Sequence, residues 1–278
     1  MKSNRDSNGF KTGLILLGAV TCLAHASEPT GSTNLLGDEN ALQAFVDRIV
    51  TNRMQENHVP GAVVTIVKDD KVIFNKGYGF ANLDQHTPVD ADKTLFRIGS
   101  VSKVFNAMAV MRLVDEGLID VNEDVRPRLA ASGLALDHEA YGPITMKALL
   151  THTAGIGDRD IPDVTSPTNS DQVLPLGQYL QKCLPLRWQE TGESVLYTDH
   201  GISLAGYVVE LASKTRFEDA VLQRVMRPMG MNHSFYSVPE EQRASVAVAY
   251  AYRKSAQHAI PFHYTNVKPA VGVLTTGS

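Results

Sequence analysis

The stretch VSKVFNAMAVMRLV at 101–114 is apolar on nearly every side until Glu116-Gly117 interrupts it. A helix with no continuous polar face cannot lie on a surface, because every turn would hold aliphatic carbon in water. The segment therefore demands neighbours on several sides. A chain of 278 residues with 43% hydrophobic content can supply them, either as one large domain or as two intimate ones.

What precedes this helix raises a chemical question. Gly99 permits a tight turn, Ser100 stands at the helix mouth, and Lys103 follows one turn later on the same face. Free backbone N–H groups and the macrodipole at a helix start favour developing negative charge. A lysine in apolar surroundings can titrate low enough to accept a proton. Ser100 and Lys103 are thus candidates for a nucleophile and its partner. The bland alternative, a serine cap followed by a solvated lysine, needs a polar face that this helix scarcely has. Ser-x-x-Lys arises by chance about once in a chain of this length, so the pair alone identifies nothing.

Elsewhere the patterning predicts a mixed architecture. Asp38 can cap a helix in which Leu42, Phe45, Val46, Ile49 and Val50 recur at helical spacing. Two β-rich runs follow, AVVTIV at 62–67 and VIFNKGYGFA at 72–81, joined through Lys68-Asp69-Asp70-Lys71 as a hairpin. Together they predict a helix lying on an antiparallel sheet. NLDQHTPVDADKT is polar and turn-rich and leads out of this unit, after which 100 to about 230 reads as mostly helical.

Composition narrows the class of function. The formal net charge is −4, and no basic cluster with interleaved aromatics is present, so a nucleic-acid partner is not expected. Lys2, Arg5 and Lys11 precede the apolar GLILLGAVTCLA and then Ala24-His25-Ala26, the layout of a secretory leader cleaved after 26. The apolar run is too short to cross a bilayer comfortably. Cys22 offers a lipid-anchor alternative that Ala19-Val20-Thr21 fits poorly. The expectation is a periplasmic or secreted protein, 27–278, without stable membrane insertion. Cys183 would be its single thiol, so disulfides cannot hold it together, and a small buried apolar role fits its neighbours CLPLRW. His200 is expected to be exposed at a helix start. His258 and His263 have a spacing seen at metal sites but no nearby cysteine or carboxylate ligand, so neither a metal nor a cofactor is expected. No GxSxG elbow and no phosphate-cradling glycine loop occur.

TLFRIGSVSK resembles the active-site block of the serine β-lactamase and penicillin-binding-protein superfamily, in particular its class C β-lactamase-like branch of esterases and D-amino-acid peptidases. Other blocks agree in order: VPGAVVTIVKDDKVIFNKGYGFAN resembles the first hairpin, ITMKALLTHTAGI the helix-and-turn block, and YTDHGISLAGYVVELASKTRFEDAV with RPMGMNHSF the second catalytic block and the helix after it. The resemblance covers 39–278. It implies an α+β, β-lactamase/transpeptidase-like fold, with a sheet-forming part at 39–95 and 245–278 and a helical part at 96–244. It also implies Ser100 as the acylated serine, Lys103 as its partner, and Tyr197 as the tyrosine that relays the proton. His152 belongs to a family block and is expected to be a structural hydrogen-bonding group beneath the site.

Two departures from the family pattern matter. Asp199 stands where asparagine is usual. A carboxylate beside Lys103 would keep the amine charged and leave Tyr197 as the better base, and it removes an amide donor for a β-lactam or peptide side chain. This tilts the substrate slightly towards esters or other acyl compounds, with Asp199 as a substrate-binding candidate. Secondly, the family's Lys- or His-x-Gly strand is expected beyond Ser278, since AVGVLTTGS resembles the glycine-rich segment before it. The sequence is therefore expected to be a fragment lacking half of an oxyanion hole, with an open edge on the 62–81 hairpin and poor stability alone. The resulting reading is an exported serine hydrolase that acts on a β-lactam, ester or D-amino-acid peptide bond. A penicillin-binding sensor that acylates without turnover and a vestigial protein remain the alternatives.

Overall fold

The computed structural model describes residues 35–136, 141–161 and 164–278; the leader expected at 1–26 lies outside them. Helix α1 (Glu39–Glu56) begins where the Asp38 carboxylate accepts from the Ala41 N–H at 3.0 Å, and its buried stripe is Leu42 and Val46, one turn apart. These two pack on Phe74 and Tyr78 of β2 (Lys71–Asn82), which pairs antiparallel with β1 (Gly61–Lys68). Asp69 and Asp70 close the hairpin with φ of 48° and 59°, the left-handed pair that matches strand twist. Phe45 and Ile49 stay about two-fifths exposed, so only part of the expected apolar stripe of α1 meets the sheet. On its other side β2 pairs with β3 (Thr87–Pro88).

The main core is helical. It gathers α2 (Ser102–Asp115), α3 (Arg126–Ala131), α4 (Met146–Leu150), α5 (Leu176–Cys183), α6 (Asp199–Ser213), α7 (Phe217–Val221) and α8 (Lys268–Val271) around one apolar cluster. The enclosure expected of 101–114 is only partial. Helix α2 buries Ser102, Phe105, Asn106, Ala109, Val110 and Leu113 on one face, whereas Val101, Val104 and Met111 remain 49%, 55% and 48% exposed. The enclosed helix is α6, where every residue from His200 to Gly206 is buried among its neighbours. Each aliphatic side chain hidden in this way contributes about 1.5–3 kcal/mol of transfer free energy. Gly206 allows α8 to come close: a Cβ there would stand 2.5 Å from Pro269 Cγ.

A small sheet ties the C-terminal part to the start of α2. Strand β8 (Leu274–Thr275) lies between β4 (Phe96–Arg97) and β5 (Ser234–Phe235), and β6 (Ala249–Arg253) with β7 (Ala256–Ile260) forms a separate hairpin. The strands of 39–95 and 245–278 thus belong to distinct sheets, joined by single contacts such as Val248 N–H to Ala81 O at 2.8 Å. Cys183 is buried, and burial raises its thiol pKa, in keeping with an inert core residue.

Candidate active site

The chain turns at Gly99, whose φ of +54° is left-handed and would strain any other residue, although a Cβ there would touch nothing. A single helical turn, Gly99–Val101, then leads into α2 and sets Ser100 outward at its start. Two bonds fix this turn against the small sheet: Ile98 N–H to Val273 O at 3.1 Å, and Val273 N–H to the buried Ser102 Oγ at 3.0 Å. The nucleophile candidate thus stands on a helix start that is anchored from below.

Four side chains named from sequence converge here. Lys103 Nζ donates to Ser100 Oγ at 3.0 Å, to Asp199 Oδ1 at 2.6 Å and to the Ala270 carbonyl at 3.3 Å. Tyr197 Oη donates to Ser100 Oγ at 2.7 Å, and the Lys103 ammonium lies 4.7 Å from the centre of the tyrosine ring. The Lys103 side chain is only 12% exposed, so its ion pair with Asp199 is largely removed from solvent. Asp199 occupies the first turn of α6, where the helix dipole favours a carboxylate. Tyr197, in contrast, is 56% exposed.

A second set of contacts holds the segment that carries Tyr197 and Asp199. Between them Thr198 caps α6: its Oγ1 accepts from Gly201 N–H at 3.2 Å and donates to Gly157 O at 2.7 Å. His152, itself left-handed at φ +59°, receives Leu196 N–H on its carbonyl at 2.8 Å and Thr198 N–H on Nδ1 at 3.2 Å. Its ring lies 4.6 Å from that of Tyr197. Burial, with help from the Lys103 charge, holds the His152 imidazole below its ordinary pKa, which suits an acceptor Nδ1.

Some residues fall elsewhere than expected. His200 is 1% exposed rather than at the surface, because its ring lies between Asp158 and Tyr179 inside the helical core. His258 and His263 are not brought together; they bond to the carbonyls of Arg253 and Ser166 respectively. Among the described residues no three His, Cys, Asp or Glu side chains form a group that could hold a metal, and no helix is long and apolar enough to cross a membrane. The Ala270 carbonyl is the contact that sequence reasoning missed, since a backbone acceptor 167 residues from Lys103 carries no sequence signal.

A hydroxyl that receives hydrogen bonds from both an ammonium and a phenol can, in general, be activated for attack on an acyl carbon. Known proteins share the sequence pattern and the fold. The chain is 27% identical over 217 residues to Protein flp of Staphylococcus aureus, across 76% of this chain but only 42% of that protein, so it spans less than half of that relative's length. Among solved structures, the octameric penicillin-binding protein homologue from Pyrococcus abyssi superposes with a TM-score of 0.70 at 25% identity, over 84% of this chain and 54% of that one. A class C β-lactamase superposes with a TM-score of 0.68 at 27% identity, over 86% and 63%. The β-lactamase family profile matches residues 46–278, and the chain belongs to the β-lactamase family.

Proposed function

We propose that this protein is a serine hydrolase that forms an acyl-enzyme on Ser100 and releases it to water. The observation that carries the reading is the pair of hydrogen bonds received by Ser100 Oγ, 3.0 Å from Lys103 Nζ and 2.7 Å from Tyr197 Oη. Lys103 Nζ is ringed by Ser100 Oγ, the Asp199 carboxylate and the Ala270 carbonyl, and in this reading it orients Ser100 and supplies positive charge. Tyr197 is then the proton carrier. In the resting site it donates to Ser100. For acylation the phenol oxygen takes the proton of Ser100 as Oγ bonds to the acyl carbon, while the phenol's own proton goes to the departing group. Deacylation repeats the exchange with water in place of serine. The ammonium beside the ring offsets negative charge on the phenol oxygen while this happens.

The acyl donor is a small ester or related acyl compound. Asp199 presents carboxylate acceptors where an amide donor would serve the side chain of a peptide or β-lactam, and its Oδ1 is already engaged with Lys103. Export belongs to the same proposal and rests on the basic and apolar pattern of 1–26; protein recovered outside the cytoplasm should begin at Ser27 by N-terminal sequencing.

Intact mass before and after exposure to a fluorophosphonate tests the chemistry. One adduct, mapped to Ser100 and absent from Ser100→Ala, with turnover of a p-nitrophenyl ester, is the expected result. An adduct without turnover would place the protein among acylating sensors. A folded protein that takes up no adduct would remove the enzyme reading.

A further inference from the structure

His200 and Asp158 take no part in the chemistry above, yet a buried imidazole and a half-buried carboxylate bond to each other at the start of α6. The His200 ring is 1% exposed. Its Nδ1 lies 2.5 Å from Asp158 Oδ1 and its Nε2 lies 3.0 Å from Tyr179 Oη, and the Tyr179 oxygen is 3.4 Å from Thr165 Oγ1. The carboxylate of Asp158 accepts from an N–H at Nδ1, and Nε2 shares a hydrogen bond with the phenol oxygen. Burial opposes charge on Asp158, but the bonds from His200 and from the α6 backbone outweigh it and hold the carboxyl below its ordinary pKa.

The same carboxylate oxygen also faces the His200 N–H at 3.4 Å and Thr198 Oγ1 at 3.5 Å. Asp158 therefore grips the first turn of α6 through side chain and backbone together. That turn carries Tyr197 and Asp199 on either side of Thr198. Tyr197 is more than half exposed and its side chain touches only one side of the site, through Ser100, Lys103 and His152, so the position of its backbone matters for where Oη sits. An apolar residue in place of His200 could fill its volume, at the cost of removing a partner from Asp158 and from the buried Tyr179 hydroxyl. What it could not do is fix where along and around its axis α6 begins.

We propose that Asp158 and His200 are positioning residues that set Tyr197 Oη against Ser100 Oγ, and Asp199 against Lys103 Nζ. This rests on the acyl-enzyme reading for its kinetic consequence but not for its geometric one. A displacement of about 1 Å in such a contact can cost up to about 100-fold in rate. His200→Phe, which keeps a ring and loses both bonds, should therefore lower kcat for a p-nitrophenyl ester by about tenfold or more, with KM within about twofold. His200→Asn, whose amide N–H can replace Nδ1–H towards Asp158, should restore most of the rate. Purely structural damage would instead reduce the amount of active protein, as counted by fluorophosphonate titration, and leave kcat per active site unchanged.

A crystal structure of His200→Phe asks the same question without turnover. Tyr197 Oη moved out of hydrogen-bonding reach of Ser100 supports the proposal; Tyr197 still at its parental distance overturns it, whether or not the parent protein hydrolyses anything. If His200→Phe does not fold, Asp158→Ala, at a site 44% exposed, replaces it under the same two readouts. A parent that takes up no fluorophosphonate while His200→Phe still displaces Tyr197 would refute the hydrolase reading alone.

Discussion

Lys103 directs N–H donors to a hydroxyl, a carboxylate and a backbone carbonyl, and in the proposed mechanism Tyr197 carries the proton. Tyr197→Phe removes only the oxygen, and stopped-flow acylation with an activated ester should slow by about 10²- to 10⁴-fold, the usual worth of a positioned acid–base group. His152 gives a second prediction at this scale. Burial holds its folded pKa below the ordinary value, so the unfolded chain binds a proton near pH 6.5 while the folded one does not. Stability should be complete above about pH 6.5 and fall as acid takes the solution towards the folded pKa. Urea midpoints measured across this range should show the slope, and His152→Gln should flatten it. Ser100, Lys103, Tyr197 and Asp199 were legible in the sequence because each falls within a short motif. His152 was legible only as a structural group, and the burial of His200 was not legible at all, because Asp158 and Tyr179 reach it from separate segments.

At the scale of elements, the decisive contact is that between α6 and α8. Gly206 lets Pro269 rest directly on α6, and the residue after Pro269 offers its carbonyl to Lys103. Gly206→Ala places a methyl group where the proline ring lies and should destabilise the fold by about 1–3 kcal/mol, the ordinary cost of overpacking. Because α8 would be pushed outward, acylation should slow as well; chemical denaturation and labelling rate measured on one preparation report both effects. The hairpin of β1 and β2 was legible from its two β-rich runs and the short polar link Lys68-Asp69-Asp70-Lys71 between them. The placement of α2 was not. Its composition is apolar all round, but the pattern that packs is the i, i+3, i+4 face from Ser102 to Leu113, and Ser102 and Asn106 on that face bond to Val273 N–H and Ile202 O. Composition overstated burial because it ignores which polar groups find partners.

At the scale of the whole molecule, the described residues form two apolar clusters of very different size. The cluster between α1 and the hairpin has four buried members, whereas the helical one draws on residues of α2 through α8. Free energy of local opening follows the apolar area that opening exposes. Native-state hydrogen exchange should therefore show amides of α1 and β1 opening well before those at the centre of α2 and α6. Leu113→Ala, in the large cluster and fully buried, should lower global stability by about 2–5 kcal/mol, and the slowest-exchanging amides should report that loss. Equal protection in both clusters would mean that they unfold as one unit.

Local pattern in the sequence determined the hairpin, the capped first helix, the serine at a helix start and the lysine one turn later, since each depends on residues within a few positions of one another. The resemblance of the blocks to a known family implied that Tyr197 and Asp199 would join them. The tertiary structure alone decided that α6 rather than α2 is the enclosed helix, that Ala270 completes the lysine's set of acceptors, and that His200 is buried against Asp158. Those outcomes depend on packing between segments far apart in the chain, where the free energy lies in shared buried surface and paired polar groups.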